Sequence, residues 1–204
     1  MSTEIKAEFA VVDPNLTIEF EEIELPKKVM TTISQETLLH VIYATFNGVY
    51  KMSHSMKDLV ETSNNLARVL VKDESIEILC LTRSSSESSK MDLVNLITSN
   101  FKLAGYHVET SGSYPGWQPN VNSPILNVLQ AKYEELFNEK PNVVACHAGL
   151  ECGILGTNYP DMDMISFGPT IKGAHSPDER AHIGSSQKFW KFLTEILKNI
   201  PEKR

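Results

Sequence analysis

The spacing of apolar residues predicts a strand at the start of the chain and a helix after it. In residues 3–13 apolar side chains occupy alternate positions, which places them on one face of an extended segment. Ser34 is predicted to cap a helix whose apolar residues recur at helical spacing, and the pair Asn47-Gly48 ends that pattern. Further strands are predicted at 48–54, on either side of the turn at 72–75, and at 106–112.

A second helix is predicted between these strands. Residues 85–105 carry serines that suit a helix cap, an apolar stripe that includes Ile97 and Phe101, and Gly105 as the C-terminal stop. The predicted order of elements is therefore β-α-β-β-α-β, which is the ferredoxin-like pattern of the α+β class. Residues 1–111 are predicted to form one small domain of this kind.

A different pattern follows residues 111–123, which are rich in Gly, Pro and Ser and are predicted to be the domain boundary. Residues 142–149 are almost entirely apolar, as expected for a parallel strand covered on both faces, and 163–168 is a second predicted buried strand. Two strands are too few for an independent α/β domain, so residues 112–204 are predicted to be part of a larger sheet. Helices are predicted from Ser123-Pro124, within 150–156 and over 185–200.

His175 precedes a tetrad that is typical of a helix start. Ser176 suits the N-cap, Pro177 the first helical position and Glu179 the capping-box partner. A histidine at such a place is more often a hydrogen-bonded structural residue than a ligand, and a zinc site needs three or four ligands. The sequence has no H-E-x-x-H, C-x-x-C or H-x-D motif, so the residues alone leave both interpretations of His175 open.

Three other residues are candidates for ligand contacts. Gly149 and Glu151 follow the apolar strand at 142–149 together with His147, at the kind of strand end where α/β proteins bind ligands. Arg83 ends another predicted strand, and a guanidinium can hold a carboxylate with two parallel hydrogen bonds. Each has a structural alternative: a tight turn for Gly149, a helix N-terminal charge for Glu151 and an exposed strand-end charge for Arg83.

The overall charge and the cysteines narrow the class of protein. A net charge of -7 and a pI near 5.4 argue against nucleic acid or an anionic membrane as the main partner. The 3 cysteines form no C-x-x-C pair and lie in apolar contexts, which is typical of buried thiols in a reducing compartment. The segment 1–13 lacks the basic and apolar regions of a signal peptide, so a cytoplasmic protein is expected.

Several segments together resemble the C-terminal portion of the cytosolic Xaa-His dipeptidases, also called aminoacyl-histidine dipeptidases or peptidase D. They are LCLTRSS, SGSYPGWQPN, KPNVVACHAGLECGIL and YPDMDMISFGPTIKGAHSPDE, and the resemblance extends from about residue 30 onward. That family consists of binuclear zinc peptidases with an α/β catalytic domain and an inserted lid domain that is often used in dimerisation. The resemblance implies two zinc ions per complete site, or other divalent metals, a dipeptide substrate and a homodimer. It further implies that residues 1–111 belong to the lid and 112–204 to the end of the catalytic domain.

The resemblance also implies a role for each candidate residue. His175 matches the last zinc ligand, Arg83 the contact to the substrate carboxylate, and Gly149 a backbone contact to the substrate. Glu151 lies in the same motif as Gly149 and is matched to the substrate's amino group. The family's other ligands and its general base, the first residue of a Glu-Glu pair, belong to an N-terminal half that this sequence does not contain, so no catalytic base is assigned.

Two main hypotheses follow for function. The first is the C-terminal portion of a zinc dipeptidase that hydrolyses Xaa-His dipeptides and is inactive alone, since one ligand cannot hold two zinc ions. The second is a non-catalytic module that dimerises through its ferredoxin-like unit. A small-molecule sensor built on that fold is a weaker third possibility, because no ligand motif supports it.

Overall fold

The computed structural model describes residues 1–145, 147 and 150–200. Within them the chain forms two compact units, one up to Leu39 and one from His40 onward. The mixture of helices and small sheets agrees with the α/β class. The elements are α1 (Ser2–Phe9), α2 (Thr32–Ala44), β1 (Gly48–Met52), β2 (Val60–Lys72), β3 (Ser75–Ser84), α3 (Glu87–Leu103), α4 (Pro124–Phe137), α5 (Glu151–Asn158), β4 (Ile171–Lys172), β5 (Arg180–Ala181) and α6 (Ile183–Lys198).

The strand predicted at 3–13 is wrong, because this segment begins with helix α1. Ile5 and Phe9 lie four residues apart, so they also share one face of a helix. A lone helix satisfies its own backbone hydrogen bonds, whereas a strand needs a partner. The amino terminus pairs with the Glu4 carboxylate at 3.0 Å, and none of the eight helical residues is buried.

A three-stranded antiparallel sheet forms the centre of the second unit. Its strand order is β1-β2-β3, and α3 packs on one face. The predicted helix near Ser34, the strands on either side of the turn at 72–75 and the helix within 85–105 are confirmed as α2, β2, β3 and α3. The cap predicted at Ser34 is wrong, because α2 begins at Thr32 and the Ser34 N–H donates to Thr31 Oγ1 at 3.2 Å. The buried core of this unit consists of Val41 from α2 with Leu93, Ile97 and Phe101 from α3.

The strand predicted at 106–112 does not form. Tyr106 instead folds back over the end of α3, where its N–H donates to Phe101 O at 3.0 Å. The rings of Phe101 and Tyr106 meet edge to face, with centroids 5.9 Å apart, and Val108 packs against the same core. These apolar side chains are therefore covered without a backbone ladder, and the observed order of this part is α-β-β-β-α in place of β-α-β-β-α-β.

The connection after α3 is anchored through Lys90, a buried residue of that helix. Its Nζ donates to Ser113 Oγ at 3.1 Å and to Tyr114 O at 2.8 Å, and it pairs with the Glu87 carboxylate at 2.8 Å. The Gly-, Pro- and Ser-rich segment is thus held against α3.

Two glycines bring α5 close to the end of β3. A Cβ on Gly116 would lie 2.6 Å from Ser85 O, and a Cβ on Gly153 would lie 2.5 Å from Pro115 O. Both distances are shorter than real Cβ contacts, so only glycine allows these backbones to approach so closely. The chain from 115 to 116 is consequently sandwiched between the β3–α3 junction and α5.

The helices predicted after residue 123 are confirmed. Ser123 caps α4 by accepting a hydrogen bond from Leu126 N–H at 3.1 Å, and α5 and α6 occupy the other two predicted helical segments. Helices α4 and α6 pack together through aromatic rings. That cluster contains Tyr133, Phe137, Phe167, Phe189 and Phe192.

The buried strands predicted at 142–149 and 163–168 are not formed in the described residues of either segment. Val144 is 74% exposed and Phe167 is 39% exposed. A buried parallel strand within a sheet has neighbouring strands on both sides. The two sheets of the described chain are antiparallel and offer these segments no such neighbours.

Candidate functional site

One row of side chains crosses the sheet on the face opposite α3. Ser63 in β2 pairs with Val49 in β1 and with Arg83 in β3, and directly paired residues of antiparallel strands share a face. Along β3 the side chains of Ile78 and Cys80 point into the core, so the alternation turns Arg83 outward. The row therefore presents an exposed guanidinium beside a hydroxyl.

His147 joins this row from a distant part of the chain. Its Nε2 lies 2.8 Å from Ser63 Oγ, although 84 residues separate the two in sequence. Burial lowers the pKa of His147, and the nearby charge of Arg83 lowers it further. The imidazole is therefore neutral at neutral pH.

These residues border a cleft of about 320 Å³. One side is polar, with Ser63, Arg83 and His147, and another is apolar, with Val49 and Leu81. The volume suits a small ligand or one residue of a peptide. The described lining consists of Gly48, Val49, Val60, Ser63, Asn64, Asn65, Leu81, Arg83 and His147.

Glu151 and Gly149 take no described part in this cleft. Glu151 is exposed in the first turn of α5 and is not among the residues that line the cleft. Burial raises the pKa of the neighbouring Cys152 thiol, and the Glu151 charge raises it further, so that thiol stays protonated at neutral pH. Gly149 lies outside the described residues.

His175 lies in a tight loop between β4 and β5, and the helix predicted from Ser176 is wrong. The Ser176 hydroxyl donates to Gly173 O at 2.7 Å, and Glu179 N–H donates to Ser176 O at 3.1 Å. Glu179 does reach back, but its carboxylate accepts from His175 N–H at 2.7 Å. Ser, Asp and Glu side chains serve turns as well as caps, and pairing between β4 and β5 selects the turn.

The backbone of His175 has φ +63°, in the left-handed region that non-glycine residues rarely adopt. Hydrogen bonds on both sides of the residue hold it there, and the side chain is exposed. The loop therefore presents the imidazole to solvent in a defined backbone conformation.

The described residues do not fit a zinc site on their own. Among residues 1–145, 147 and 150–200, no three His, Cys, Asp or Glu side chains lie together as a metal site. Zinc requires three or four protein ligands, so any metal at His175 would need ligands beyond those that the structure describes.

The sequence-based reasoning missed Ser63 as a member of the site. The register of the hairpin turn would not have identified Ser63, because continuing the pairing of Lys72 with Ser75 would place Asn64 opposite Arg83. A one-residue bulge at Ala67 shifts the pairing, so Ser63 lies opposite Arg83 instead.

Comparison with known proteins finds similarity to two dipeptidases. Cytosol non-specific dipeptidase of Escherichia coli (strain K12) is 44% identical over 199 residues, which cover 98% of this chain and 41% of that protein. The crystal structure of aminoacylhistidine dipeptidase from Vibrio alginolyticus matches with a TM-score of 0.82 and 37% identity, over 99% of this chain and 41% of that one. The chain thus spans about two fifths of the length of these relatives. The model of peptidase family M20/M25/M40 matches residues 7–199, and the chain therefore belongs to that family.

Proposed function

We propose that this chain is the part of a metal-dependent dipeptidase that binds the substrate's C-terminal carboxylate and contributes one metal ligand. The observation that carries the proposal is the row of Arg83, Ser63 and His147 along a cleft of about 320 Å³. Membership of a peptidase family and similarity to two dipeptidases support it.

Arg83 is the carboxylate-binding residue in this proposal. Its side chain is exposed at the cleft, and it is the only permanently charged group among the described lining residues. A guanidinium binds a carboxylate through two parallel hydrogen bonds, and a peptide's C-terminus is the carboxylate that every dipeptide offers. The apolar side of the cleft, at Leu81 and Val49, suits the apolar part of the residue that bears this carboxylate.

We further propose His175 as one zinc ligand of the longer protein. The exposed imidazole and the hydrogen-bonded loop support this role, because a ligand needs a fixed backbone and an accessible nitrogen. The remaining ligands and the general base are proposed to lie in chain that this sequence does not include. The chain alone is then expected to hydrolyse no dipeptide.

Gly149 and Glu151 are proposed as further substrate contacts. Gly149 would contribute its backbone, and Glu151 would meet the substrate's amino group from the first turn of α5. The close packing of Gly153 on Pro115 supports the role of Glu151, because it fixes α5 relative to the end of β3.

The proposed substrates are dipeptides, including those with C-terminal histidine. One relative is named a non-specific dipeptidase and the other an aminoacylhistidine dipeptidase, so the two names differ in breadth. A cytoplasmic location is proposed because the E. coli relative is named a cytosol enzyme. A homodimer through residues 1–111 is proposed because β1 and β3 leave both edges of the three-stranded sheet unpaired within the described chain.

The described residues contain no helix that is both long enough and apolar enough to cross a membrane.

Binding of glycyl-L-histidine and of its C-terminal amide tests the carboxylate site. We expect the acid to bind and the amide not to bind, measured by NMR titration of the purified chain. Arg83→Gln should abolish binding of the acid, while Arg68→Gln should not, because Arg68 lies on the same sheet but pairs with Glu77 at 3.2 Å. Equal binding of acid and amide would contradict the assignment.

The purified chain is also used to test the expectation that it does not hydrolyse dipeptides. Hydrolysis of glycyl-L-histidine is followed with zinc added and then with a chelator. We expect no turnover in either state. Turnover that depends on the metal would show that the chain assembles a complete site.

A further inference from the structure

The imidazole of His147 lies in the same cleft as Arg83. Ser63 is the direct cross-strand neighbour of Arg83, and Ser63 Oγ lies 2.8 Å from His147 Nε2. The imidazole and the guanidinium therefore border the same space, linked through one hydroxyl. This arrangement places two groups that can carry positive charge where the proposed function puts a carboxylate.

Among the described residues, no acidic side chain lines the cleft beside this pair. Neither β1 nor β2 contributes a titratable side chain to the described lining, and β3 contributes only Arg83. Lys51 of β1 and Glu61 of β2 pair with each other at 3.1 Å and do not line the cleft. Without a bound carboxylate, burial and the Arg83 charge keep the pKa of His147 below its ordinary value.

We propose that His147 is a conditional second cation of this cleft, which takes up a proton from solvent when a carboxylate binds at Arg83. The inference rests on the proposed function, since it assigns the ligand's carboxylate to Arg83. Burial is the larger cause of the lowered pKa of His147, and the charge of Arg83 lowers it further. A bound carboxylate neutralises the guanidinium and places a negative charge beside the imidazole, which favours its protonated form.

Protonation of His147 fixes the direction of its hydrogen bond with the Ser63 hydroxyl. In a neutral imidazole, Nε2 is either the donor or the acceptor of the bond to Ser63. In the protonated ring Nε2 can only donate, so Ser63 becomes the acceptor and its own O–H is free to turn toward the ligand. Proton uptake therefore adds a hydrogen-bond donor for the carboxylate as well as a charge.

The sign of the pH dependence follows from linkage. His147 has one pKa in the chain without ligand and a higher pKa in the complex with a carboxylate. Between these two pKa values the complex binds up to one more proton than the chain without ligand. Affinity for a carboxylate therefore rises as the pH falls through the pKa of the complex, and the full gain is reached below the pKa of the empty chain. Because one unit of pKa corresponds to a tenfold change, we expect roughly three- to tenfold tighter binding at about pH 5.5 than at about pH 8.

The test uses N-acetylglycine, which carries one carboxylate and no group that titrates between these pH values. Its affinity for the purified chain is measured by calorimetry at both pH values, in buffers with different ionisation enthalpies that report proton uptake. We expect tighter binding at the lower pH, with net proton uptake. His147→Gln should bind with the same affinity at both pH values and take up no proton, and Ser63→Ala should reduce the pH effect.

The matched control is His107→Gln. His107 is exposed, pairs with Glu109 at 3.1 Å and does not line the cleft, so its replacement should leave the pH dependence intact. NMR titration of the His147 ring in the unsubstituted chain adds a measurement that needs no variant. The pKa of His147 should rise when N-acetylglycine is present, and an unchanged pKa would overturn the inference.

The outcomes separate this inference from the proposed function. Binding that needs Arg83 but is independent of pH, or pH dependence that survives in His147→Gln, overturns the inference and leaves the carboxylate site in place. Binding that is unaffected by Arg83→Gln overturns both.

Discussion

Asp163 ties the start of α4 to the segment that precedes β4. Its carboxylate accepts hydrogen bonds from Ser123 Oγ at 2.7 Å, Ile125 N–H at 2.9 Å and Asn120 Nδ2 at 3.3 Å. Burial alone would raise the pKa of Asp163, but these hydrogen bonds together outweigh it and hold the pKa below its ordinary value. The ionised form is therefore the one that stabilises the fold.

Asp163→Asn should destabilise the chain by about 1–3 kcal/mol at neutral pH, because an amide replaces a charged acceptor of several bonds. A group with a lowered folded pKa stabilises above its unfolded pKa of about 3.9, and that contribution is lost as the pH falls through the folded value. The difference in the free energy of unfolding between the unsubstituted chain and Asp163→Asn should therefore become smaller as the pH falls. Urea unfolding across the acid range measures it, with Asp161→Asn as the exposed neighbouring control; a gap that stays constant to low pH would contradict this account.

The one-residue bulge at Ala67 decides which side chains of β2 face the cleft. Without the bulge at Ala67, Asn64 would lie opposite Arg83 and Ser63 would face the core. The side-chain period of a strand is two, so one extra residue exchanges the two faces. Arg83 as a strand-end residue was predictable from the sequence, but its neighbour depended on this bulge.

At the scale of elements, local patterns predicted the helices better than the strands. The cap at Ser123 and the apolar spacing of α3, α4 and α6 predicted these helices, since a helix satisfies its backbone within four residues. The strands predicted at 3–13 and 106–112 did not form, because a strand needs a distant partner strand that no local pattern guarantees. The tetrad after His175 suited a cap, yet pairing between β4 and β5 made it a turn.

Helix α5 provides a matched pair of glycines for testing its docking. Gly153→Ala should destabilise the chain by about 1–3 kcal/mol, because the new Cβ would lie 2.5 Å from the backbone oxygen of Pro115. Gly156→Ala would meet only the flexible end of Met164 at 3.3 Å, so the higher helix propensity of alanine should make it neutral or stabilising by up to about 1 kcal/mol.

Thermal unfolding followed by circular dichroism compares the two glycine variants. The expected order of stability is Gly156→Ala above Gly153→Ala. If Gly153→Ala proved equally stable, the close approach of α5 to residue 115 would not be required.

At the scale of the whole second unit, Lys90 joins α3 to the segment that leads to α4. Methionine would keep the apolar stem but lose the hydrogen bonds to Ser113 and Tyr114. Lys90→Met should therefore lower stability by about 1–3 kcal/mol and speed proteolytic cleavage within 111–117.

Limited proteolysis with mass spectrometry of the fragments measures this effect. Lys198→Met serves as the control, because Lys198 is exposed near the end of α6 and its side chain pairs with Glu195. Equal cleavage within 111–117 in both variants would show that Lys90 does not hold this segment. The boundary predicted at 111 and 112 is not tested by the structure and stays a prediction.

The sequence by itself determined helices α2 to α6, the capped start of α4, the long hairpin around 72–75 and the family that its motifs resemble. These features depend on contacts between residues close in the chain, or on residue identity alone. Only the tertiary structure decided that Ser63 faces the cleft, that His147 reaches it across 84 residues and that the His175 segment folds as a turn. The physical reason is that strand pairing, register and the contacts of a long connection are set by distant partners, whose approach no local pattern records.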